Sequence, residues 1–163
     1  MRYGLRNLIA LGSALACLMG GVAVAQDKPS DKPADNMDVM REKLRADKKA
    51  VVAEVLQLTE GEAKAFWPVY NAYQSDMVTH YDRLLKLLDN YASSYETMTD
   101  AQATSILQQY LGLERDHVAI LTSYLPRFQK VLPPKKVAKL YQVENKARAL
   151  VNYELARGIP LVK

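Results

Sequence analysis

From Met37 onward the large apolar residues recur every three or four positions, and only Gly61, Gly112 and Gly158 interrupt them as glycines. No stretch alternates in the manner of a strand. This is the period of helices that each bury one face, so the chain is expected to be all-α. The expected architecture is a long antiparallel helical hairpin with two shorter flanking helices, four helices in all.

The helix limits follow from local chemistry. Met40, Leu44, Val51, Val55 and Leu56 place a first helix over Asp38 to Gln57. Leu58-Thr59-Glu60-Gly61-Glu62 then reads as a capping box: the Thr59 hydroxyl takes the amide three residues on, and Glu62 reaches back to the amide of Thr59, with Leu58 as the staple. The second helix carries Phe66, Tyr70, Tyr73, Met77, Tyr81, Leu84, Leu88 and Tyr91 on one face, with a kink expected at Pro68. Ser93-Ser94 ends it. Thr99 and Gln102 form a second capping box, behind Met98. The third helix runs to about Lys130, and Pro126 should bend it or end its regular part. Leu132-Pro133-Pro134 breaks the chain and opens a fourth helix, with a proline suited to the first turn. That helix holds Val137, Leu140, Tyr141, Val143, Ala147, Leu150, Val151 and Leu155, until Gly158 and Pro160 stop it.

The third helix carries two apolar rows side by side. One is Leu107, Leu111, Glu114, Val118, Leu121, Leu125, Phe128 and Leu132; the other is Ile106, Tyr110, Leu113, His117, Ile120, Tyr124 and Val131. Together they are wider than one neighbouring helix can cover. A hairpin of two helices about 45 Å long also has much surface for its volume. Burial against something else is expected, and a second copy of the chain is the simplest candidate, giving an elongated homodimer. A compact monomeric four-helix bundle is the alternative.

Ahead of the helices stand two segments of another kind. Arg2 and Arg6, the apolar run Leu8 to Met19, and Ala23-Val24-Ala25 make an export signal over residues 1–25, cleaved after Ala25. The alternative is lipidation at Cys17. Residues 26–36, with Asp-Lys-Pro twice, read as a disordered linker, and residues 37–163 as a single all-helical domain. A periplasmic product follows, with no stable membrane insertion once the signal is removed.

Composition excludes several classes. Residues 26–163 contain no cysteine, so they form no disulfide scaffold, zinc ribbon, iron–sulfur centre or c-type haem site. The fourth helix has neither His nor Met for a bundle haem. No Gly-rich phosphate loop, serine elbow or thiol nucleophile is present, so neither an enzyme nor a cofactor is expected. With 20 basic and 18 acidic groups, the same residues give no bulk attraction to nucleic acid. The charge is nonetheless uneven. Residues 50–126 hold 4 basic and 10 acidic groups, whereas residues 127–163 hold 9 basic and 2 acidic. The basic end, including Lys135, Lys136 and Lys139, is either a solvated face or a rim that attracts acidic protein segments or anionic lipid.

Two clusters remain. Phe66, Trp67, Tyr70 and Tyr73 lie on or beside the core row and offer either core packing or an adaptable surface for other proteins. His80 and His117 fall about 6–8 Å out of step along a hairpin centred near residue 96, at helical rise. A metal site within one chain is therefore not expected. One across a dimer would need carboxylates such as Asp76, Glu114 or Asp116.

The segment Leu58-Thr59-Glu60-Gly61-Glu62 resembles the L-T-x-x-Q motif of the periplasmic Spy and CpxP-like family, with Glu in place of the final Gln. Leu132-Pro133-Pro134-Lys135-Lys136 stands where that family carries a second copy, with Pro133 for Thr and Lys136 for Gln. The order of signal, helix, motif, two long helices, motif and helix extends over roughly residues 40–155. The resemblance implies an all-helical, cradle-shaped antiparallel dimer with an envelope-stress role. It would chaperone unfolded clients without ATP or restrain a membrane sensor kinase, and some relatives are metal-responsive. The expected function is a non-enzymatic periplasmic protein that binds unfolded or partner proteins. A metal-responsive sensor, or an accessory regulator of a sensor kinase, is the alternative.

Overall fold

The structure is a computed structural model that describes residues 46–162. The expected export signal with Cys17, the Asp-Lys-Pro stretch and the expected start of the first helix lie outside the described residues. Four helices are present among the described residues. α1 runs through residues 46–56, α2 is Glu60–Ser94, α3 is Asp100–Val131 and α4 is Pro134–Gly158. No strand occurs among the described residues. None of their helices is long and apolar enough to cross a membrane.

The chain ends each helix by an identifiable device. Gln57 closes α1 with a left-handed φ of 46°, its amide donating to the carbonyl of Ala53 at 3.1 Å. Both capping boxes form. Glu62 N–H donates to Thr59 Oγ1 at 3.3 Å while Thr59 N–H donates to Glu62 Oε2 at 2.8 Å, opening α2. Gln102 N–H and Thr99 N–H make the same exchange at 3.3 and 2.9 Å, opening α3. Both long helices continue through their prolines, Pro68 in α2 and Pro126 in α3. Leu132 is extended (φ −135°, ψ 147°) because the ring of Pro133 crowds the helical conformation of the residue before it. Pro133 then caps α4 with its carbonyl, which accepts from the amides of Lys136 and Val137 at 2.9 and 3.1 Å.

The described residues divide into two compact units. One combines residues 46–57 with Gln142–Gly158. In it Val52 and Leu56 are buried, and the buried Glu144 takes the ammonium of Lys48 at 2.7 Å. The other combines Leu58–Tyr141 with the residues from Ile159 onward, and it holds the whole of α2 and α3.

Within that second unit α2 and α3 lie antiparallel, joined by residues 95–99. Tyr73 meets both Tyr124 and Phe128, Phe66 meets Phe128, and Arg83 pairs with Asp116 at 2.7 Å. The buried row of α2 is Phe66, Tyr70, Tyr73, Met77, His80 and Leu87. The sequence row agrees up to Met77 and then differs, since His80 and Leu87 take the seam in place of Tyr81 and Leu88. The observed steps are four, three, four, three and then seven, a whole heptad, which keeps one face on one partner. A count of apolar residues passes over a histidine and so slips by one.

Three hydroxyls tie the unit together. Tyr124 donates to Asp76 Oδ2 at 2.7 Å, Tyr141 to the carbonyl of Leu121 at 2.6 Å, and Tyr91 to the carbonyl of Pro160 at 2.6 Å. Burial raises the pKa of all three phenols above the usual tyrosine range. The Asp76 bond adds to this at Tyr124, and the neighbouring Tyr95 adds to it at Tyr91.

Candidate functional site

The two rows of α3 part along most of the helix, but Phe128 and Leu132, at the end of the first row, turn inward with the second, and Tyr110 of the second stays exposed. Leu113, His117, Tyr124 and Phe128 are buried. Leu107, Leu111, Val118 and Leu125 stand between 37% and 57% exposed, and Tyr110 flanks them at 45%. Single exposed aliphatics are ordinary on a protein surface; a row of them along one helix is a feature that calls for an account. The hydroxyls nearby add little polarity. Thr104 and Thr122 each donate to the carbonyl one turn back, of Asp100 and Val118, at 2.8 Å. Glu114 and Leu121 complete the row and are half-buried.

A basic corner adjoins the C-terminal end of this ridge. Arg127, Lys130, Lys135 and Lys139 are exposed there. Arg127 lies over the ring of Tyr124 at 4.6 Å from its centroid, a cation–π contact that still leaves its charge at the surface. Lys136 behaves differently. Its ammonium sits 2.6 Å from Glu62 Oε2, the same oxygen that closes the first capping box. That contact, with the Thr59 amide, holds the Glu62 carboxyl below the usual carboxylate range. The two motif segments read in the sequence therefore meet in space, joined by the very residues that stand in the two Gln positions. Thr59, Glu62, Thr99 and Gln102 serve as helix caps. Leu132 is buried, Leu58 is half-buried, and Pro133 caps through its backbone.

The aromatic cluster takes the core alternative, and its reading as a protein-binding surface falls away. Phe66, Tyr70 and Tyr73 are buried, so they are core residues and offer no surface to a partner. Phe66 stacks on Tyr70 at 5.2 Å, and Tyr73 sets its edge against Tyr124 and Phe128 at 5.4 and 5.7 Å. Only Trp67, half-buried and in edge contact with Phe66 and Tyr70, remains partly open. Of the residues expected to bind proteins, Lys135 and Lys139 are at the surface, and Lys136 is engaged with Glu62.

The histidines also depart from expectation. His80 and His117 face each other across the seam with ring centroids 5.6 Å apart, each 5% exposed. The hairpin pairs residues about a point between 98 and 99, not 96. Tyr73 with Tyr124 and His80 with His117 share that midpoint. Moving the midpoint by two or three residues changes each residue's partner by about five, roughly 7.5 Å along the axis, which brings the rings together. Two imidazoles are what the seam offers: among the described residues no group of three or more His, Cys, Asp or Glu is placed to hold a metal ion.

No protein-family model, curated protein or solved structure gives a significant match to the chain.

Proposed function

We propose that this chain is a non-enzymatic, exported protein that binds apolar segments of other proteins and holds them from aggregating. The observation that carries the reading is the exposed aliphatic row of α3, Leu107, Leu111, Val118 and Leu125, beside the buried seam that supports it. The buried aromatic contacts and the capped ends fix α3 in place, so the ridge is presented without prior ordering. Arg127, Lys130, Lys135 and Lys139 at its C-terminal end hasten encounter with acidic segments. The Spy-like order of motifs and the signal-like N-terminus support a periplasmic setting and an envelope-stress role. The test is light scattering from a chemically unfolded client on dilution. An equimolar amount of the protein should slow the rise, more strongly at low salt because the basic corner is screened by salt. An unchanged rise would contradict the reading.

A further inference from the structure

The seam between α2 and α3 changes character at its two histidines. Toward the start of α2, that helix buries Phe66, Tyr70, Tyr73 and Met77, and α3 buries Tyr124 and Phe128 opposite them. Toward the connection at residues 95–99, the buried residues are Leu87 of α2 and Leu113 of α3. Apolar contact therefore holds the tip of the hairpin less firmly than its aromatic base. His80 and His117 stand at the boundary between the two.

The rings face each other with centroids 5.6 Å apart, each residue 5% exposed and each Nδ1 buried. They are the only histidines in the chain. A neutral imidazole has one nitrogen that donates and one that accepts, whereas an imidazolium only donates. Facing rings can therefore hold one added proton between them. A second proton leaves two donors and two like charges where little water screens them.

The neighbouring groups favour the first proton over the second. Asp116, beside His117, is bound to Arg83 of α2 at 2.7 Å, and Asp76, one turn before His80, accepts the hydroxyl of Tyr124. Both carboxylates thus already have donors. Glu114 stands half-buried one turn before His117, and Tyr81 sets its edge against His80 at 5.4 Å. From α4, Tyr141 reaches the carbonyl of Leu121, one turn beyond His117.

We propose that His80 and His117 form an acid-operated release for the hairpin tip: uptake of the second proton opens residues 80–117 while the aromatic base stays packed. Once open, both imidazoles titrate as in a free chain, at about pH 6.5, so the open form binds more protons and gains population as pH falls through that value. The inference stands apart from the protein-binding reading of the ridge.

Hydrogen exchange of the full chain, read by mass spectrometry and corrected for the intrinsic pH dependence of amide exchange, tests it. Between about pH 7.5 and about pH 5, above the carboxylate range, the opening constant of residues 80–94 and 100–117 should rise by about tenfold or more. That of residues 64–77 and 120–130 should stay constant. The rise should vanish in His80→Gln and equally in His117→Gln, because a single ring has no like charge to meet. The readout is the ratio between the two pH values, so a variant looser at both still reports. His117→Phe supplies another single-ring case should a Gln variant fail to fold. An equal opening constant at both pH values in wild type, a rise spread evenly over base and tip, or single-ring variants that keep the rise would overturn the inference. No client enters the measurement, so its failure is distinct from failure of the ridge to protect one.

Discussion

Down α3 run two rows of large side chains, one position apart, and the more aliphatic row is the one left outside. The inner row holds His117 and Tyr124, with polar ends that must be satisfied; the outer holds Leu107, Leu111, Val118 and Leu125. Hydrophobicity alone would have placed them the other way round. What decides is the facing helix. α2 presents Phe66, Tyr70, Tyr73 and His80, and the rings of Tyr124, Phe128 and His117 complement them in edge and tilted contacts. Asp76 on α2 receives the Tyr124 hydroxyl, which removes the penalty of burying it. Burial here follows matched shape and matched hydrogen bonding, and the surplus aliphatic row remains for a partner.

The sharpest way to break this comparison is to truncate one buried and one exposed residue of α3. Phe128→Ala should cost about 3–5 kcal/mol in urea unfolding, because it removes the ring on which Phe66 and Tyr73 pack and leaves a cavity. Leu125→Ala, on the outer row, should cost less than about 1 kcal/mol in dilute solution. Similar costs at the two positions would mean that the rows do not differ as described.

Two further changes sharpen the support beneath the ridge. Thr59→Ala removes one side of the capping box and should cost about 1 kcal/mol, read from the same unfolding curves. Tyr124→Phe deletes the bond to Asp76 and should also cost about 1 kcal/mol. The tyrosines set an alkaline limit as well. With folded pKa values above the unfolded value near 10, Tyr91, Tyr124 and Tyr141 contribute stability that is complete below that pH and lost as pH rises through their folded values. Stability measured across alkaline pH should fall in that window, and less steeply in Tyr124→Phe. Glu62 acts with the opposite sign. Its depressed folded value gives stability that is present above the usual carboxylate range and lost as pH falls through the lowered one. Lys136→Met should weaken that acid dependence. The smallest effect belongs to the outer row: Val118→Asp should shift the dilute-solution melting midpoint very little, by less than about 0.5 kcal/mol in stability.

Much of this architecture can be read from residues alone, and the reasons differ by feature. Helix ends are legible because they depend on local chemistry: Thr59 with Glu62, Thr99 with Gln102, and Pro133 before Pro134 each specify a boundary within four residues. The choice between the two rows of α3 is not legible, because both have the same period and only the register against α2 separates them. His80 vanishes from an apolar count although it occupies the seam, and the midpoint of the hairpin shifts by a fraction of a turn that a loop length does not reveal. The basic run 127–163 is readable as charge, but the pairing of Lys136 with Glu62, which takes one lysine out of the rim, depends on where the α3–α4 corner falls.

The account turns on the claim that the outer row of α3 works on other proteins while the inner row works on the fold. Scattering from an unfolded client, recorded with wild type and with Val118→Asp at equal concentration, tests it most directly. Wild type should suppress the signal, and the variant, equally helical and equally stable, should suppress it by half or less. Equal protection by both would contradict the claim.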